Sequence, residues 1–385
     1  MYITQIQLKN WRNFRHANVN LRSRQFVVGA NASGKSNFLD AFRFLRDVAR
    51  PEGGGIQKAV KDRGGVSKIR CLAARTDPVI EIEITLIDEN NNDVAWEYLL
   101  AIRQEQRGHR LPYIVKERVK RSGKILLNRP NPQDRSDPLR LTQTYLEQVN
   151  ENGKFREIVR YFENIRYLHL VPQLLRHSDE FQGRQLDSDP FGQGFLEQVA
   201  KTPQRTQKAR LKRIERALKI AVPQLEQLRF ERDENTGRPH LAALHSHWRP
   251  KAGWQREDQF SDGTLRLIGL LWALLDGDSL LLLEEPELSL NASIVSRMAP
   301  LIFQLQRLRR RQVIISTHSM DLLSDPGIDG REILLLEPSA EGTAITAVSQ
   351  IADLSRLLGA GLTAGEVVLP RTRPSQLDFF SSLGS

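Results

Sequence analysis

This 385-residue sequence has a single cysteine, and it lacks long apolar runs and an export signal. Its single cysteine, Cys71, excludes an intrachain disulfide and a cysteine-rich metal site, and it fits a reducing cytoplasm. The longest apolar stretch, 267–275, is far shorter than the ~20 residues that a membrane-spanning helix needs. The opening residues show no basic segment followed by an apolar one, as an export signal would. We therefore expect a cytoplasmic protein without a membrane partner.

Repeats are also absent from the sequence, and its charge is unbalanced. No heptad pattern continues over several repeats and no internal repeat is visible, so a long coiled coil is not expected. The 56 lysines and arginines outnumber the 46 aspartates and glutamates, which gives a formal net charge of +10. Such an excess favours polyanionic partners, of which nucleic acid is the usual one. A basic surface that is merely solvated would give the same count.

The segment 29–36, Gly-Ala-Asn-Ala-Ser-Gly-Lys-Ser, fits the phosphate-binding pattern G-x-x-x-x-G-K-[ST]. A strand-like apolar run precedes it at 25–28, and a helix-like run follows it at 37–45. In this context the backbone N–H groups of the loop point at an anion. Lys35 adds a positive charge near the β- and γ-phosphates, and the Ser36 hydroxyl is a ligand for Mg²⁺. The alternative is a glycine-rich turn that matches the pattern by chance.

Two further apolar runs end in residues with catalytic chemistry. The run 279–283 is typical of a buried parallel strand, and it delivers Glu284 and Glu285 to the carboxyl end, where open α/β sheets bind ligands. The run 311–315 is also strand-like, and it leads to His318. A histidine at this place could hydrogen-bond a γ-phosphate, although a histidine at the edge of the core is an equal alternative.

A third motif, Phe-Ser-Asp-Gly-Thr at 260–264, precedes a strongly apolar helix that runs to Leu275. Ser261 and Asp262 are good residues for a helix N-cap, because their side chains satisfy the free N–H groups of the first turn. A simple N-cap therefore explains the segment as well as a binding role does.

Together and in this order, these segments resemble the ABC-type ATPases: Walker A at 29–36, signature at 260–264, Walker B at 279–285 and a switch histidine at 318. The segments Ser-Asp-Gly-Thr-Leu-Arg and Glu-Glu-Pro-Glu-Leu-Ser-Leu are most similar to those of one soluble branch of this family. The ATPases of this branch are found in bacterial genome-maintenance and anti-phage loci. That branch contains the RecF-like, overcoming-lysogenization-defect-like and related "AAA family" ATPases. The resemblance implies an α/β fold, an ABC-type P-loop ATPase head with a mixed or parallel core sheet, an antiparallel β lobe and a helical insertion, and no long coiled coil.

Composition and periodicity divide the chain into four predicted parts. Isoleucines alternate with polar residues from Ile80 onward, which indicates half-buried strands, and a proline-rich loop lies at 128–140. A helix predicted at 205–222 has one apolar face and many basic residues elsewhere, so it either faces DNA or is solvated. The predicted parts are an N-terminal ATPase lobe (1–140), a mainly helical insertion (141–259), a C-terminal ATPase lobe (260–370) and a tail (371–385).

The resemblance assigns a role to each candidate site residue, with ATP and Mg²⁺ as cofactors. It predicts Glu285 as the residue that orients or deprotonates the attacking water, with His318 and Lys35 as the other catalytic groups. Ser36, Glu284 and Gln173 are the predicted Mg²⁺ contacts, although an ordinary glutamine after a strand explains Gln173 as well. The predicted nucleotide contacts in and after the P-loop are Gly29, Asn31, Ser33, Gly34, Lys35, Ser36 and Asn37. Arg12 and Asn13 are predicted as base or phosphate contacts, with a surface turn as the alternative. Ser261 and Gly263 are predicted to contact the nucleotide of a second subunit.

The resemblance also implies how such a head works. ATP joins two heads in a symmetric dimer, so we expect a homodimer, with DNA and a separately encoded nuclease or effector as further partners. Two departures from the family pattern bear on the site. Asp262 stands where transporter ATPases carry glycine, so its carboxylate must be paired or point away, and Glu284 replaces the commoner aspartate. The alternatives are a slowly hydrolysing scaffold that keeps a toxin-like partner inactive and, less favoured, the ATPase subunit of a transporter. With only a short tail after the head, we do not expect this chain to cut nucleic acid by itself.

Overall fold

The computed structural model describes residues 1–88, 91–105, 110–176, 190–246 and 253–373, with the backbone alone at 91–94. Most of the predicted tail, 374–385, lies outside these residues. Within them, no helix is both long and apolar enough to cross a membrane. The longest helix among them has 18 residues, so this part of the chain contains no long coiled coil, as expected.

Fifteen strands lie in the described residues, in two large sheets and one small one. Their bounds are β1 (Tyr2–Trp11), β2 (Phe14–Asn20), β3 (Arg24–Gly29), β4 (Ile80–Asp88), β5 (Asn91–Gln104), β6 (Pro112–Arg121), β7 (Lys124–Arg129), β8 (Arg166–Leu168), β9 (Leu225–Arg232), β10 (Pro239–His245), β11 (Trp254–Arg256), β12 (Leu281–Glu284), β13 (Val313–Thr317), β14 (Ile333–Ser339) and β15 (Gly342–Ala347).

Thirteen α-helices connect and cover these strands in the same part of the chain. Their bounds are α1 (Lys35–Ala49), α2 (Ile56–Lys61), α3 (Val66–Ile69), α4 (Pro132–Ser136), α5 (Arg156–Glu163), α6 (Pro172–Arg176), α7 (Phe195–Lys201), α8 (Gln204–Ala221), α9 (Asp262–Leu275), α10 (Ala292–Val295), α11 (Met298–Arg309), α12 (Ala352–Gly359) and α13 (Ala364–Val368).

The core sheet has the order β15-β14-β3-β13-β12-β8, and every neighbouring pair except β14–β15 is parallel. Its central strands are buried on both faces, which explains why they read as continuous apolar runs. Because parallel strands end at the same edge, the residues that follow β3, β12 and β13 meet there. This edge carries the P-loop, the acidic run and the segment before His318.

The second large sheet is antiparallel, with the order β2-β1-β4-β5-β6-β7. Its strand β4 alternates between buried isoleucines and partly exposed polar residues, as the sequence predicts. One hydrophobic core lies between this sheet, α1 and α5, and a second lies between the core sheet and the helices α8, α9 and α11. Helix α1 therefore has its start at the nucleotide edge and its apolar side in the first core.

The region 141–259 is less helical than predicted. Its first half contains α5 to α8, and the helix predicted at 205–222 is α8. Its strand β8, however, belongs to the core sheet, and β9, β10 and β11 form a small antiparallel sheet after α8 ends. The chain forms a strand there because β9 pairs with β10 from Leu225 to Arg232, although the buried Leu225 and Leu228 are three residues apart, a spacing that fits a helix as well. The boundaries of the four predicted parts stay predictions.

Candidate nucleotide-binding site

The P-loop connects β3 to α1 and forms a cradle that only glycine fits. Gly34 precedes α1 with φ of 102°, a left-handed conformation that glycine adopts without a steric penalty. A Cβ atom on Gly29 would lie 2.5 Å from the Ser33 Oγ and 2.9 Å from the Leu336 carbonyl oxygen. The Ser33 hydroxyl is buried without a hydrogen-bond partner among the described residues, and no side chain there caps the start of α1. These N–H and O–H groups suit a phosphate.

Lys35 lies inside this cradle and faces the acidic run. Its Nζ donates to the Gly29 carbonyl oxygen at 2.9 Å and to the Ala30 carbonyl oxygen at 3.1 Å. Burial lowers the pKa of Lys35, while Glu285 and then Glu284 act in the opposite direction. The sheet thus brings a lysine and the carboxylates of a distant segment together, as the sequence predicts for Lys35, Glu284 and Glu285.

Glu284 is held between two hydroxyl groups. The Ser36 hydroxyl donates to its Oε1, and the Tyr167 hydroxyl donates to its Oε2. Tyr167 lies on β8, where it pairs with Leu282 of β12, and burial followed by the charge of Glu284 raises the pKa of its hydroxyl. Ser36 and Glu284 were predicted as Mg²⁺ contacts and are in direct contact with each other. Tyr167 was not predicted, since only the parallel pairing of β8 with β12 brings it to the site.

These oxygen atoms suit Mg²⁺ bound together with a nucleotide. Mg²⁺ usually keeps several waters and takes one or two protein oxygens together with substrate phosphates. The described residues contain no cluster of three histidine, cysteine or carboxylate side chains that would hold a metal by themselves. A hydroxyl and one carboxylate beside a phosphate cradle therefore fit the ion that the family implies.

Glu285 has a strained backbone and contacts His318. Its φ is 44°, which is costly for a residue with a Cβ atom, and its N–H donates to the Ser316 carbonyl oxygen at 3.0 Å. The His318 Nδ1 and the Glu285 Oε1 are 3.0 Å apart, within hydrogen-bond distance. The residue predicted to orient or deprotonate the attacking water and the predicted switch histidine are thus adjacent, and the strained backbone is typical of a functional site.

Glu287 is a third carboxylate at this edge, and the sequence analysis missed it. It is 7% exposed, and its Oε1 accepts a hydrogen bond from the Thr317 hydroxyl at 2.5 Å. Its Oε2 has no hydrogen-bond partner among the described residues, and burial raises its pKa. An apolar run that ends in several carboxylates was the available signal, but the run does not indicate which of them turns inward.

Asn13 and Arg12 support the P-loop from a neighbouring turn. The Asn13 Nδ2 donates to the Ser33 carbonyl oxygen at 2.8 Å, and its Oδ1 accepts from the Asn37 Nδ2 at 2.9 Å. Arg12 has φ of 52°, and its guanidinium donates to Asp40 at 3.0 Å. Asn13 thus contacts the P-loop, whereas Arg12 contacts the helix that follows it, and their contacts with a nucleotide stay predictions, as does that of Asn31, which is exposed.

The signature segment starts α9 and forms the N-cap that was the alternative interpretation. The Ser261 Oγ accepts a hydrogen bond from the Thr264 N–H at 3.2 Å. The Asp262 carboxylate is paired, as expected: Arg176 donates to it at 2.7 Å and Gln173 at 3.0 Å. Gln173 is therefore placed on the signature segment, and its predicted role at Mg²⁺ stays a prediction. A Cβ atom on Gly263 would lie 2.8 Å from the Ser289 carbonyl oxygen.

Similarity to known proteins decides the family. Residues 26–325 match the family described as "AAA domain, putative AbiEii toxin, Type IV TA system". The chain belongs to this family. Residues 3–45 also match the "P-loop containing region of AAA domain". With the relatives and structures below, these matches confirm an ABC-type ATPase of the RecF- and GajA-like branch.

Several curated relatives match short segments of the chain. The chain is 47% identical over 47 residues to "Endonuclease GajA" of Bacillus cereus (strain VD045). This match covers 12% of this chain and 8% of that protein. Over 46 residues it is 41% identical to "DNA replication and repair protein RecF" of Bacillus mycoides (strain KBAB4), which covers 12% of each. A RecF protein of Synechocystis sp. is 32% identical over 87 residues, 22% of this chain and 23% of that protein. Each match spans less than a quarter of the relative.

Solved structures similar to the chain over most of its length are heads of Smc proteins. The SmcHead bound to the C-winged helix domain of ScpA has a TM-score of 0.53 at 16% identity and covers 90% of this chain and 98% of that one. The Pyrococcus furiosus Smc head with an extended coiled coil has a TM-score of 0.51 at 15% identity and covers 93% and 99%. At this identity the likeness concerns the fold, and it confirms the predicted ABC-type head.

Proposed function

We propose that this chain binds and hydrolyses ATP with Mg²⁺ and acts as an ATP-gated, DNA-associated sensor or clamp. In this proposal it controls a separately encoded nuclease or effector in genome maintenance or phage defence. The observation that carries the ATPase part is the meeting of Lys35, Ser36, Glu284 and Glu285 at one edge of the core sheet. Such a set is what phosphoryl transfer needs, because its catalysis consists mainly of positioning and charge stabilisation.

In the proposed mechanism the P-loop amides and Lys35 bind the phosphates of ATP. The Lys35 Nζ exchanges its contacts with the Gly29 and Ala30 carbonyl oxygens for phosphate oxygens. Glu285 accepts the proton of a water that it holds in line with the γ-phosphate. His318 orients Glu285 through their hydrogen bond and presents its other ring nitrogen toward the γ-phosphate. Mg²⁺, when bound, supplies positive charge to the β- and γ-phosphates, and Ser36 and Glu284 would hold it, with Gln173 as a further predicted contact.

A symmetric homodimer completes the proposed site. Ser261 and the N–H of Gly263 would act on the nucleotide bound to the partner subunit, as the resemblance to ABC-type ATPases implies. The pairing of Asp262 with Arg176 and Gln173 supports this, since it keeps a negative charge from facing the phosphates freely. One motif set per chain and a self-complementary interface give two equivalent sites per dimer.

The link to DNA and to an effector rests on relatives and on charge. The curated relatives are named as an endonuclease and as DNA replication and repair proteins. The net charge of +10 favours a polyanionic partner. The proposal assigns the ATPase cycle to this chain and the cutting of nucleic acid to another.

The decisive variant is Glu285→Gln, which keeps the shape of the side chain and removes the proton acceptor. We expect phosphate release to fall by about 100-fold or more, because general-base catalysis contributes typically 10²–10⁴-fold. ATP binding is retained, so light scattering with Mg-ATP should show a shift from monomer to dimer. Glu226→Gln, on an exposed part of β9, is the matched control and should hydrolyse ATP like the unmodified chain.

Two results would contradict the proposal. A Glu285→Gln variant that binds ATP and stays monomeric at all protein concentrations would exclude the homodimer and require a partner for the second half of the site. Unchanged phosphate release would exclude Glu285 as the proton acceptor.

The second candidate function is a nucleotide-gated scaffold that hydrolyses ATP slowly and holds a toxin-like partner inactive. The family description associates this family with a putative toxin and a Type IV TA system, and this association supports a toxin-related role. A multiple-turnover assay separates the two candidates. Turnover that rises with added DNA supports the clamp, whereas negligible turnover together with an oligomer that forms without ATP supports the scaffold.

A further inference from the structure

We propose that a basic groove at the amino ends of the core strands binds a single strand of nucleic acid through its phosphates. The proposal rests on the DNA-associated function above and assigns a surface to it. The groove consists of two adjoining cavities of about 830 Å³ and 580 Å³, which share Thr206 and Arg210. We define the basic groove as the residues that line these two cavities.

The basic groove lies at the edge of the core sheet away from the nucleotide. Arg166 is the first residue of β8, Asp276 lies before β12, and Arg309 ends α11 before β13. Lys35, Glu284 and Glu285 lie at the opposite, carboxyl ends of the strands. Since β12 has four residues, the two edges are about 13 Å apart at ~3.3 Å per residue. The basic residues of the groove therefore lie away from the nucleotide, while the first cavity also reaches Tyr167, whose hydroxyl donates to Glu284.

The charge of the groove is strongly positive. Glu197 and Asp276 are its acidic residues, and Asp276 is bound by Arg166 and, at 2.7 Å, by Arg210. The two arginines lower the pKa of the Asp276 carboxyl, against the effect of its burial. The basic residues that line the groove outnumber these two acids; they are Arg46, Arg50, Arg166, Lys201, Arg205, Arg210, Arg213 and Arg309.

A buried arginine behind the groove adds to this positive potential. Arg311 is 3% exposed, and its Nη1 donates at 2.6 Å to the carbonyl oxygens of Ala273 and Asp276, both of which line the groove. Burial, and then the charge of Arg166, lower the pKa of Arg311 to about 9. Its Nη2 has no hydrogen-bond partner among the described residues. Arg311 and Arg166 repel each other, and a nearby anion would stabilise the charged form of both.

The shape of the groove favours an extended polyanion over a single small anion. Arg205, Arg210 and Arg213 lie along α8 over about 12 Å, at 1.5 Å per residue. Arg205 and Arg213 are exposed, and Arg50 extends the positive charge to the end of α1, whereas Arg46 is buried and bound to Asp47 at 2.8 Å. A recessed basic channel that follows the backbone is how proteins bind single strands without reading sequence. An acidic polypeptide is the competing ligand, and the test includes it.

The test compares two double variants of α8 in the full-length chain. Arg205→Glu/Arg213→Glu changes two residues of the groove. Lys208→Glu/Lys212→Glu is the matched control, because it makes the same change of charge at exposed positions of the same helix that do not line the groove. Binding of a labelled 30-nucleotide oligothymidine is measured by fluorescence anisotropy over a series of salt concentrations, with Mg-ATP and without it. Binding of a fluorescent ATP analogue is measured in parallel.

We expect the groove variant to lose at least tenfold in affinity for the oligonucleotide and to bind the ATP analogue normally. The slope of log K against log [salt] should become shallower by about 1.4, because each phosphate contact with a single strand contributes about 0.7. The control variant should lose less than threefold. A duplex of the same length should bind more weakly than the single strand and should compete poorly.

Any other outcome would contradict the proposal that the basic groove binds nucleic acid. The outcomes also distinguish a failure of this proposal from a failure of the proposed function. If the unmodified chain binds the strand and both variants bind it equally well, DNA binds elsewhere and the proposed function stands. Equal losses in both variants would mean that only the overall charge matters. If the unmodified chain binds no nucleic acid at low salt, the DNA part of the proposed function fails as well. Binding of labelled polyglutamate that the groove variant loses, together with no binding of nucleic acid, would assign the groove to an acidic protein.

Discussion

Two buried clusters of charged residues in this molecule differ in how completely their hydrogen bonds are satisfied. In the antiparallel lobe, Arg129 lies fully buried between Glu117 and Asp134 and uses its guanidinium on both carboxylates and on the carbonyl oxygens of Arg140 and Gln143. None of the side-chain atoms of the three charged residues is left without a partner. This cluster has the properties of a structural element, because nothing in it is available for a ligand.

The nucleotide edge shows the opposite arrangement. Polar atoms of Ser33, Glu287 and Ser316 are buried there without a partner among the described residues. Positive φ angles occur at Glu285 and Ser289, which are costly outside glycine. A ligand that forms hydrogen bonds with these buried groups would stabilise the folded protein. The satisfied cluster therefore supports the fold, whereas the unsatisfied one is suited to binding a ligand.

The largest effect on stability should follow from breaking the satisfied cluster. Arg129→Met leaves Glu117 and Asp134 buried without their cation, and removal of one partner of a buried pair costs about 3–5 kcal/mol. We therefore expect the midpoint of urea unfolding to fall strongly. The control is Arg135→Met, an exposed arginine of α4, whose midpoint should change little. Equal midpoints for the two variants would show that the cluster is not structural.

A smaller effect is expected from Tyr167→Phe, which tests the nucleotide edge. Loss of the hydroxyl leaves Glu284 with Ser36 as its remaining side-chain partner and should loosen the carboxylate that would hold Mg²⁺. Residues that orient a metal ligand typically contribute 10- to 100-fold in metal affinity or activity. We expect a higher Mg²⁺ concentration for half-maximal ATPase activity, with the unfolding midpoint almost unchanged. Tyr113→Phe, on β6, is the control, and a lower midpoint without a change in Mg²⁺ dependence would contradict the positioning role.

The sequence predicted the parts of the site that are local in the chain. The P-loop, the acidic run and His318 each follow an apolar strand, so a motif and its flanking residues are sufficient to place them. Tyr167 and Glu287 were missed because their roles depend on the pairing of β8 with β12 and on which carboxylate turns inward. Gln173 illustrates the same limit: it follows a strand of the core sheet as predicted, yet its contact is with Asp262, 89 residues away.

The fold was predictable to a similar degree. Strand β4 alternates in the sequence and α8 has an apolar face, so both were predicted from periodicity alone. The small sheet of β9, β10 and β11 was missed, because its strands follow a long helix and four of the eight residues of β9 are charged. The sequence indicated the basic residues of α8 as a possible DNA-facing surface, but it did not indicate the basic groove, since the other arginines of the groove come from helices and strands far apart in the chain.

The smallest effect is expected from Glu287→Gln, which removes an unsatisfied charge from the nucleotide edge. Burial raises the pKa of Glu287 in the folded state, so the folded protein binds more protons than the unfolded chain above the ordinary pKa of 4.5. Its carboxylate therefore lowers the free energy of unfolding as the pH rises through the raised pKa.

A neutral glutamine oxygen can still accept the hydrogen bond of Thr317. The variant should be more stable than the unmodified chain at pH 7, and this difference should disappear as the pH falls to the ordinary pKa of 4.5. Urea unfolding with EDTA and without nucleotide measures this, and Glu226→Gln, an exposed change, should show no such difference. A variant that is less stable at pH 7 would mean that the charge of Glu287 is compensated in the folded protein, and the contrast between the two clusters would be lost.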